Sequence, residues 1–288
     1  MTDLVRIASD VLSAEVNPFG AELHSLRDEQ GRDLLWDGDP VFWTGRAPIL
    51  FPIVGALTGD RYRWRGETYS LPKHGFARRS AFSVAQSDPA SATLRLEPSD
   101  ETRAAYPFDF RLDVTFAVEG AVLAVTDEVS NRGEGPMPAS FGFHPALRWP
   151  LPEGGAREDH RLSFDEDEPA PIHRLDAAGL IDPEPRPTPI QGRELALRDD
   201  LFADDAMIFD HIRSHGLRYG TAQRSLRIDW RDCPQLGVWT KPGAGYLCIE
   251  PWQGFSDPQG FDGELDCKPG IMLLAPGETR RLMMRIAT

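Results

Sequence analysis

The sequence predicts an all-β chain, read as a single domain over residues 1–288 built from two large packed antiparallel sheets. Three observations predict it. Period-2 alternation of apolar and polar residues recurs along the whole chain. The 26 glycines and 25 prolines punctuate it at short intervals, with no long helical periodicity between them. No internal repeat of about 20–50 residues emerges, which argues against a propeller or solenoid.

Taken in order, "LVRIASDVLSAEVNPFGAELHSLRDEQGRDLLW" reads as three or four short strands with turns at Asn17-Pro18 and Gln30-Gly31. The stretch "RYRWRGETYSL" reads as a hairpin turning at Arg65-Gly66. In "RLDVTFAVEGAVLAVTDEVSN", two strands meet at Glu119-Gly120, with Leu112, Val114, Phe116 and Val118 on one face. The segment from Pro169 to Pro189, dense in Pro, Asp and Glu, reads as a long loop. Strand-and-turn texture continues on both sides, so it is not taken as a linker. The C-terminal "GIMLLAPGETRRLMMRIAT" gives a strand, a Pro-Gly turn and a strand.

Hydrophobic residues make up 41% of the chain, enough for a sizeable core. The formal net charge is −14, which argues against nucleic acid or an anionic membrane as a partner, since phosphate binding needs a cationic surface. Three cysteines, Cys233, Cys248 and Cys267, form no CxxC, so neither a disulfide framework nor a zinc knuckle is expected. The N-terminus lacks a basic region followed by an uninterrupted apolar segment, and the expectation is a soluble, cytoplasmic protein. Nucleotide-binding glycine motifs and a GxSxG nucleophile are both absent.

The residues able to carry chemistry are His, Glu, Asp and Arg. In "SFGFHPALRWPL", alternation puts Phe141 and Phe143 on one face and Gly142 and His144 on the other; Pro145 then leaves His144 at a strand terminus. It is either a hydrogen-bonded edge histidine or a functional one. His74, in "LPKHGFARRS", precedes a glycine that permits a tight turn, and is either solvated or aimed into a cleft. His211 and His215 would share a metal only on a helix, and Gly216 follows at once, so no metal site is expected there. Glu250, in "CIEPWQGFSDPQG", ends a short apolar run, either as rim decoration or as a carboxylate held at a strand end for chemistry. Aromatics fill the same neighbourhoods, Trp36, Phe42, Trp43, Phe51, Trp149, Trp239 and Trp252; most read as core, and several stand beside polar groups at strand ends, where a flat apolar face could stack on a sugar ring.

Five segments in order carry a resemblance: "APILFPIVGAL" (47–57), "HGFAR" (74–78), "FGFHPAL" (141–147), "DDAMIFD" (204–210) and "CIEPWQGFSD" (248–257). Together they resemble the aldose 1-epimerase, or galactose mutarotase-like, family, and within it the shorter bacterial branch often called LacX-like. The likeness runs from "NPFGAEL" (17–23) to "LAPGET" (274–279). It implies a β-supersandwich. It also implies Glu250 as catalytic base, His144 as general acid, and His74 as a substrate-binding histidine. Asp205, with Asp204 as the alternative, and Arg46 are implied as further substrate contacts.

The implied function is a mutarotase that needs no metal or organic cofactor and acts on a free hexose or a closely related sugar; a monomer or weak homodimer is expected. Anomer interconversion removes a proton from the C1 hydroxyl and delivers one to the ring oxygen. A carboxylate and an imidazolium on opposite sides of the ring would supply the pair near neutral pH. The alternatives are a non-catalytic carbohydrate-binding or regulatory protein on the same fold and a hexose-6-phosphate 1-epimerase. Arg78 and Arg79 favour the latter as a possible phosphate patch, while the net charge argues for an unphosphorylated sugar.

Overall fold

The computed structural model describes residues 3–288. Its larger sheet has nine strands in the order Glu194–Ala196, Arg161–Phe164, Gly216–Gly220, Ser225–Arg231, Thr279–Ala287, Val122–Asn131, Phe110–Glu119, Ser91–Leu96 and Ser83–Ser87. The smaller, six-stranded sheet runs Met207–Phe209, Gln235–Trp239, Tyr246–Gln253, Phe141–Phe143 and Ile49–Leu50, with Ala146–Arg148 also pairing to Tyr246–Gln253. Three smaller sheets supplement these two, so the expected pair of large sheets is present but is not the whole architecture.

The expected hairpins form where the local chemistry requires them. Phe110–Glu119 pairs with Val122–Asn131, leaving Gly120 and Ala121 as a two-residue turn, with Gly120 at φ 53°. Leu112, Val114, Phe116 and Val118 are buried, each contributing roughly 1.5–3 kcal/mol. Arg61–Trp64 and Glu67–Ser70 are joined by Arg65 and Gly66, both with positive φ, the type I′ geometry that matches strand twist. At the N-terminus, Val5–Ala8, Leu12–Asn17 and Glu22–Asp28 form their own three-stranded sheet. The two C-terminal strands do not pair with each other. Met272–Leu274 joins Met137–Ala139, while Thr279–Ala287 lies inside the nine-stranded sheet.

The six-stranded sheet has two unlike faces. Along Tyr246–Gln253, Leu247 and Ile249 join the main core with Phe141, Phe143, Leu236 and Val238. Tyr246 and Cys248 belong instead to an aromatic cluster with Trp36 and Ala146, and Trp252 to a third cluster with Leu50 and Ile208. Glu250 shares the face of Cys248 and Trp252, between those two clusters.

Two glycines make that face flat enough to carry an indole. Gly142 and Gly237 flank Trp252 on the neighbouring strands, Gly142 directly opposite it and Gly237 two residues off, opposite Glu250. A Cβ on Gly142 would lie 2.6 Å from Trp252 Cδ1, and one on Gly237 would lie 2.3 Å from its Cη2. Trp252 therefore spreads across both glycines.

The long loop between Arg161–Phe164 and Glu194–Ala196 is irregular, as expected, yet tied down by isolated bridges, among them Ile172 with Arg186 and Ile181 with Pro258. It delivers Leu175 and Ile181 to the side of Trp252.

Candidate active site

Glu250 is not at a strand end. Tyr246–Gln253 continues beyond it through Pro251, a residue that reads in sequence as a terminator. On one side of that strand the partner ladder is interrupted, between Phe141–Phe143 and Ala146–Arg148, and the break consists of His144 and Pro145. Neither Pro145 nor Pro251 has an N–H to donate, so proline falls on both sides of the gap in the ladder. The register is the same before and after the gap, Gly142 opposite Trp252 and Ala146 opposite Cys248. It therefore sets His144 directly opposite Glu250.

The two side chains meet. His144 Nε2 lies 3.2 Å from Glu250 Oε2, with side-chain exposures of 10% and 2%. Burial pushes the His144 imidazole down to about 3, helped by the charges of Arg78 and Lys73. Burial likewise holds the Glu250 carboxyl well above the usual carboxylate range; Asp205 adds to the effect, while Lys73 and the Trp252 indole oppose it. Both shifts favour uncharged forms, a carboxylic acid against an imidazole. The sequence reading expected a carboxylate and an imidazolium on opposite sides of a sugar ring. The structure instead has them in contact, with burial favouring the proton on the carboxyl.

The pair opens on a cavity of about 220 Å³ lined by Trp43, Lys73, His74, Arg78, Asp205, Trp239 and Trp252, among others. Trp43 lies with its centroid 5.0 Å from the His144 ring at 34°, and Trp239 stands edge-on to His144 at 6.0 Å.

His74 is buried in this wall with φ 68°. Its Nδ1 accepts a hydrogen bond from the Gly55 N–H at 3.0 Å, and its backbone N–H donates to the Gly55 carbonyl at 2.8 Å. An Nδ1 that accepts fixes the neutral tautomer, with the proton on Nε2. Burial and the nearby His144, Lys73 and Arg78 hold the ring well below the ordinary histidine value. The Gly55 loop is held in turn by the chain after Glu250. Ser256 Oγ accepts from Ala56 N at 3.1 Å, and Asp257 Oδ2 accepts from Thr58 N at 2.8 Å. The other oxygen of Asp257 takes Lys268 Nζ at 2.7 Å in a buried ion pair. Gly55 must be glycine, since a Cβ there would lie 2.0 Å from Ser256 Oγ.

Asp205 lines the cavity at φ 64°, its Oδ1 accepting from Ala206 N at 2.8 Å. Asp204, the alternative, is exposed and pairs with Arg186 at 2.5 Å outside the lining. Arg46 requires correction. Its guanidinium donates to the His24 carbonyl at 2.9 Å and its N–H to Glu22 Oε1 at 2.7 Å, so it is built into the Glu22–His24 segment and does not line the cavity. The cations that do line it are Lys73 and Arg78, whose guanidinium donates to the Lys73 carbonyl at 2.9 Å. Arg79 lines a separate groove beside the Asp100–Ala105 helix. Lys73 was missed because a lysine beside a turn reads as solvated surface. Its place immediately before His74 was the available signal.

One possible metal-ligating constellation also emerges. His144, Cys248 and Glu250 present donor atoms within 4.8 Å of one another, all buried. Spacing along the chain does not reveal it, because the histidine comes from a different strand. The segment with His211 and His215 is not helical. All three cysteines are free.

Comparison with known proteins bears on this arrangement. The profile of the family described as aldose 1-epimerase matches residues 3–287. The chromosomal LacX protein of Lactococcus lactis subsp. lactis is 32% identical over 289 residues, covering 96% of each chain. Among solved structures, a galactose mutarotase related enzyme from Lactobacillus acidophilus superposes with a TM-score of 0.90 at 30% identity, covering 99% of this chain and 97% of that one. A galactose mutarotase-like protein from Lactobacillus casei ATCC 334 gives 0.91 at 28% identity, covering 99% of both. With the profile spanning nearly every residue and the fold shared end to end, the chain belongs to the aldose 1-epimerase family.

Proposed function

We propose that this protein is a cofactor-independent aldose 1-epimerase that interconverts the α and β anomers of a hexose, with Glu250 as base and His144 as acid. The observation that carries the reading is their 3.2 Å contact at the cavity wall. The two oxygens that exchange protons in mutarotation, the C1 hydroxyl and the ring oxygen, are bonded to the same carbon. An acid and a base serving them must therefore stand side by side, as cross-strand neighbours do.

The carboxyl proton of the resting pair first passes to His144 across their 3.2 Å contact; in ring opening the Glu250 carboxylate then takes the C1 hydroxyl proton while the His144 imidazolium protonates the ring oxygen. The pair is then a carboxylic acid and an imidazole, the forms that burial favours. After rotation about C1–C2, the open chain recloses by the reverse transfers, so the pair holds one proton throughout and nothing is gained or lost. General acid–base catalysis of this kind contributes about 10² to 10⁴ in rate. His74 Nε2–H and the Asp205 carboxylate bind hydroxyls, and the faces of Trp43, Trp239 and Trp252 take the C–H surface of the ring. Polarimetry of freshly dissolved α-anomers across a sugar panel tests the reading. Sugar binding without acceleration of any aldose would instead support a carbohydrate-binding role.

A specific observation favours a second reading. Among the described residues, neither Lys73 nor Arg78 has a carboxylate within 4.0 Å, although the protein carries a net charge of −14. Two unpaired cations at a sugar cavity suit an anionic substituent such as a 6-phosphate. Comparing kcat/KM for glucose or galactose with the corresponding 6-phosphate decides it. A preference for the phosphate above about tenfold, roughly 1.4 kcal/mol, selects the second reading.

A further inference from the structure

We propose that the cavity wall is also a binding site for a soft divalent cation of the zinc type, held by His144, Cys248 and Glu250, and that the cation inhibits the enzyme. Cys248 and Glu250 occupy alternate positions of Tyr246–Gln253 and so share a face. His144 stands opposite Glu250, and the small Ala146 stands opposite Cys248. One nitrogen, one sulfur and one oxygen donor converge within 4.8 Å, with His144 Nε2 and Glu250 Oε2 3.2 Å apart. Donors around a tetrahedral zinc ion are separated by roughly 3.5 Å, so ligation needs a contraction of about an ångström.

A second observation bears on how tightly the cation would be held. His144 Nδ1 is buried with no hydrogen-bond partner, so no contact on that nitrogen fixes which way the ring faces. Metal-binding imidazoles in stable sites are usually held from behind. Without that support, a cation here is held reversibly rather than as a resident ion. The donor set also selects the metal. Imidazole with thiolate suits zinc and its relatives, whereas magnesium and calcium take oxygen donors. Three protein ligands leave a fourth position open, and two of the three, His144 and Glu250, line the cavity. Lys73 and Arg78 oppose a cation there, and the thiolate and carboxylate formed on binding offset them.

Ligation occupies the lone pairs that accept and deliver protons in mutarotation, so a bound cation silences the pair until it is chelated. This inhibitory consequence rests on the proposed function; the cation site does not. The test uses the full chain in a Cys267→Ser background, which removes the exposed thiol. Zn²⁺ is titrated calorimetrically, Co²⁺ is followed by its thiolate charge-transfer absorption, and mutarotation is measured with Zn²⁺ and after EDTA. The expected results are one site, a cobalt–thiolate band, and inhibition reversed by EDTA. Cys248→Ala should lose the band and weaken Zn²⁺ binding by at least about tenfold. Absence of the band in the parent protein overturns the proposal even if Cys248→Ala fails to fold, and so does undiminished affinity in a folded Cys248→Ala. Cation binding with a thiolate band in a protein that accelerates no aldose upholds the site and removes the proposed activity.

Discussion

His144 and Glu250 stand directly across from one another in register, His144 in the break between Phe141–Phe143 and Ala146–Arg148 and Glu250 inside the continuous strand Tyr246–Gln253. The sheet register, not a flexible loop, sets their 3.2 Å separation. Rigid elements hold catalytic groups more closely than loops do, and that dependence on the sheet generates the first expectation.

Gly237→Ala should damage the site without touching either proton-transferring residue. The new methyl would lie 2.3 Å from Trp252 Cη2 and 2.5 Å from its Cζ2, so the indole must move. Overpacking of this kind costs about 1–3 kcal/mol. Thermal stability should fall, and sugar affinity should fall with it because Trp252 is part of the cavity wall. A variant that is destabilised yet binds sugar as tightly as the parent contradicts the role given to Trp252.

His74→Ala should act mainly on binding. The neutral Nε2–H contributes one hydrogen bond, about 0.5–1.5 kcal/mol, or up to about tenfold in KM. The Gly55 N–H, now without its acceptor, should cost a further 1–3 kcal/mol or so of folding stability. A collapse of kcat at unchanged KM would assign His74 to proton transfer.

Asp127 should be a stability liability that pH reveals. It lies wholly buried in the nine-stranded sheet, between Val114 and Leu282 in register, with neither carboxyl oxygen bonded. Burial alone holds its carboxyl well above the usual range. The folded state thus keeps a proton that the unfolded state gives up near pH 4. Stability from this residue is intact below that pH and declines as pH rises toward the raised folded value. Asp127→Leu should therefore stabilise the protein at pH 7, by about 1–3 kcal/mol for removal of an unsatisfied polar group, and the gain should shrink toward pH 4. Denaturant melts at both pH values check it; a gain that is equal at pH 4 and pH 7 rules out titration of Asp127 as its source.

What the sequence made legible follows the reach of local chemistry. The hairpin Phe110–Asn131 could be read because alternation and a glycine turn both act within a few residues. The destinations of Met272–Leu274 and Thr279–Ala287 could not, because partners on other strands decide them. Glu250 stood out, but Pro251 made its strand look shorter than it is. Arg46 shows the limit of local motifs, since they do not say which way a side chain turns. His24 and Glu22 hold it away from the cavity. The meeting of Cys248 with His144 depends on register alone.

The most direct measurement of the central claim is paired polarimetry and calorimetry on Glu250→Gln. The amide keeps the shape of the side chain and can still hydrogen-bond a hydroxyl, but it cannot take the C1 proton. The account predicts that mutarotation falls by about 10² to 10⁴, while sugar affinity falls by no more than about 1.5–3 kcal/mol. His144→Asn should fall comparably, and the double variant should be scarcely worse than either single one, because the pair acts as a unit. A Glu250→Gln protein that retains more than about a tenth of the parent kcat contradicts the account.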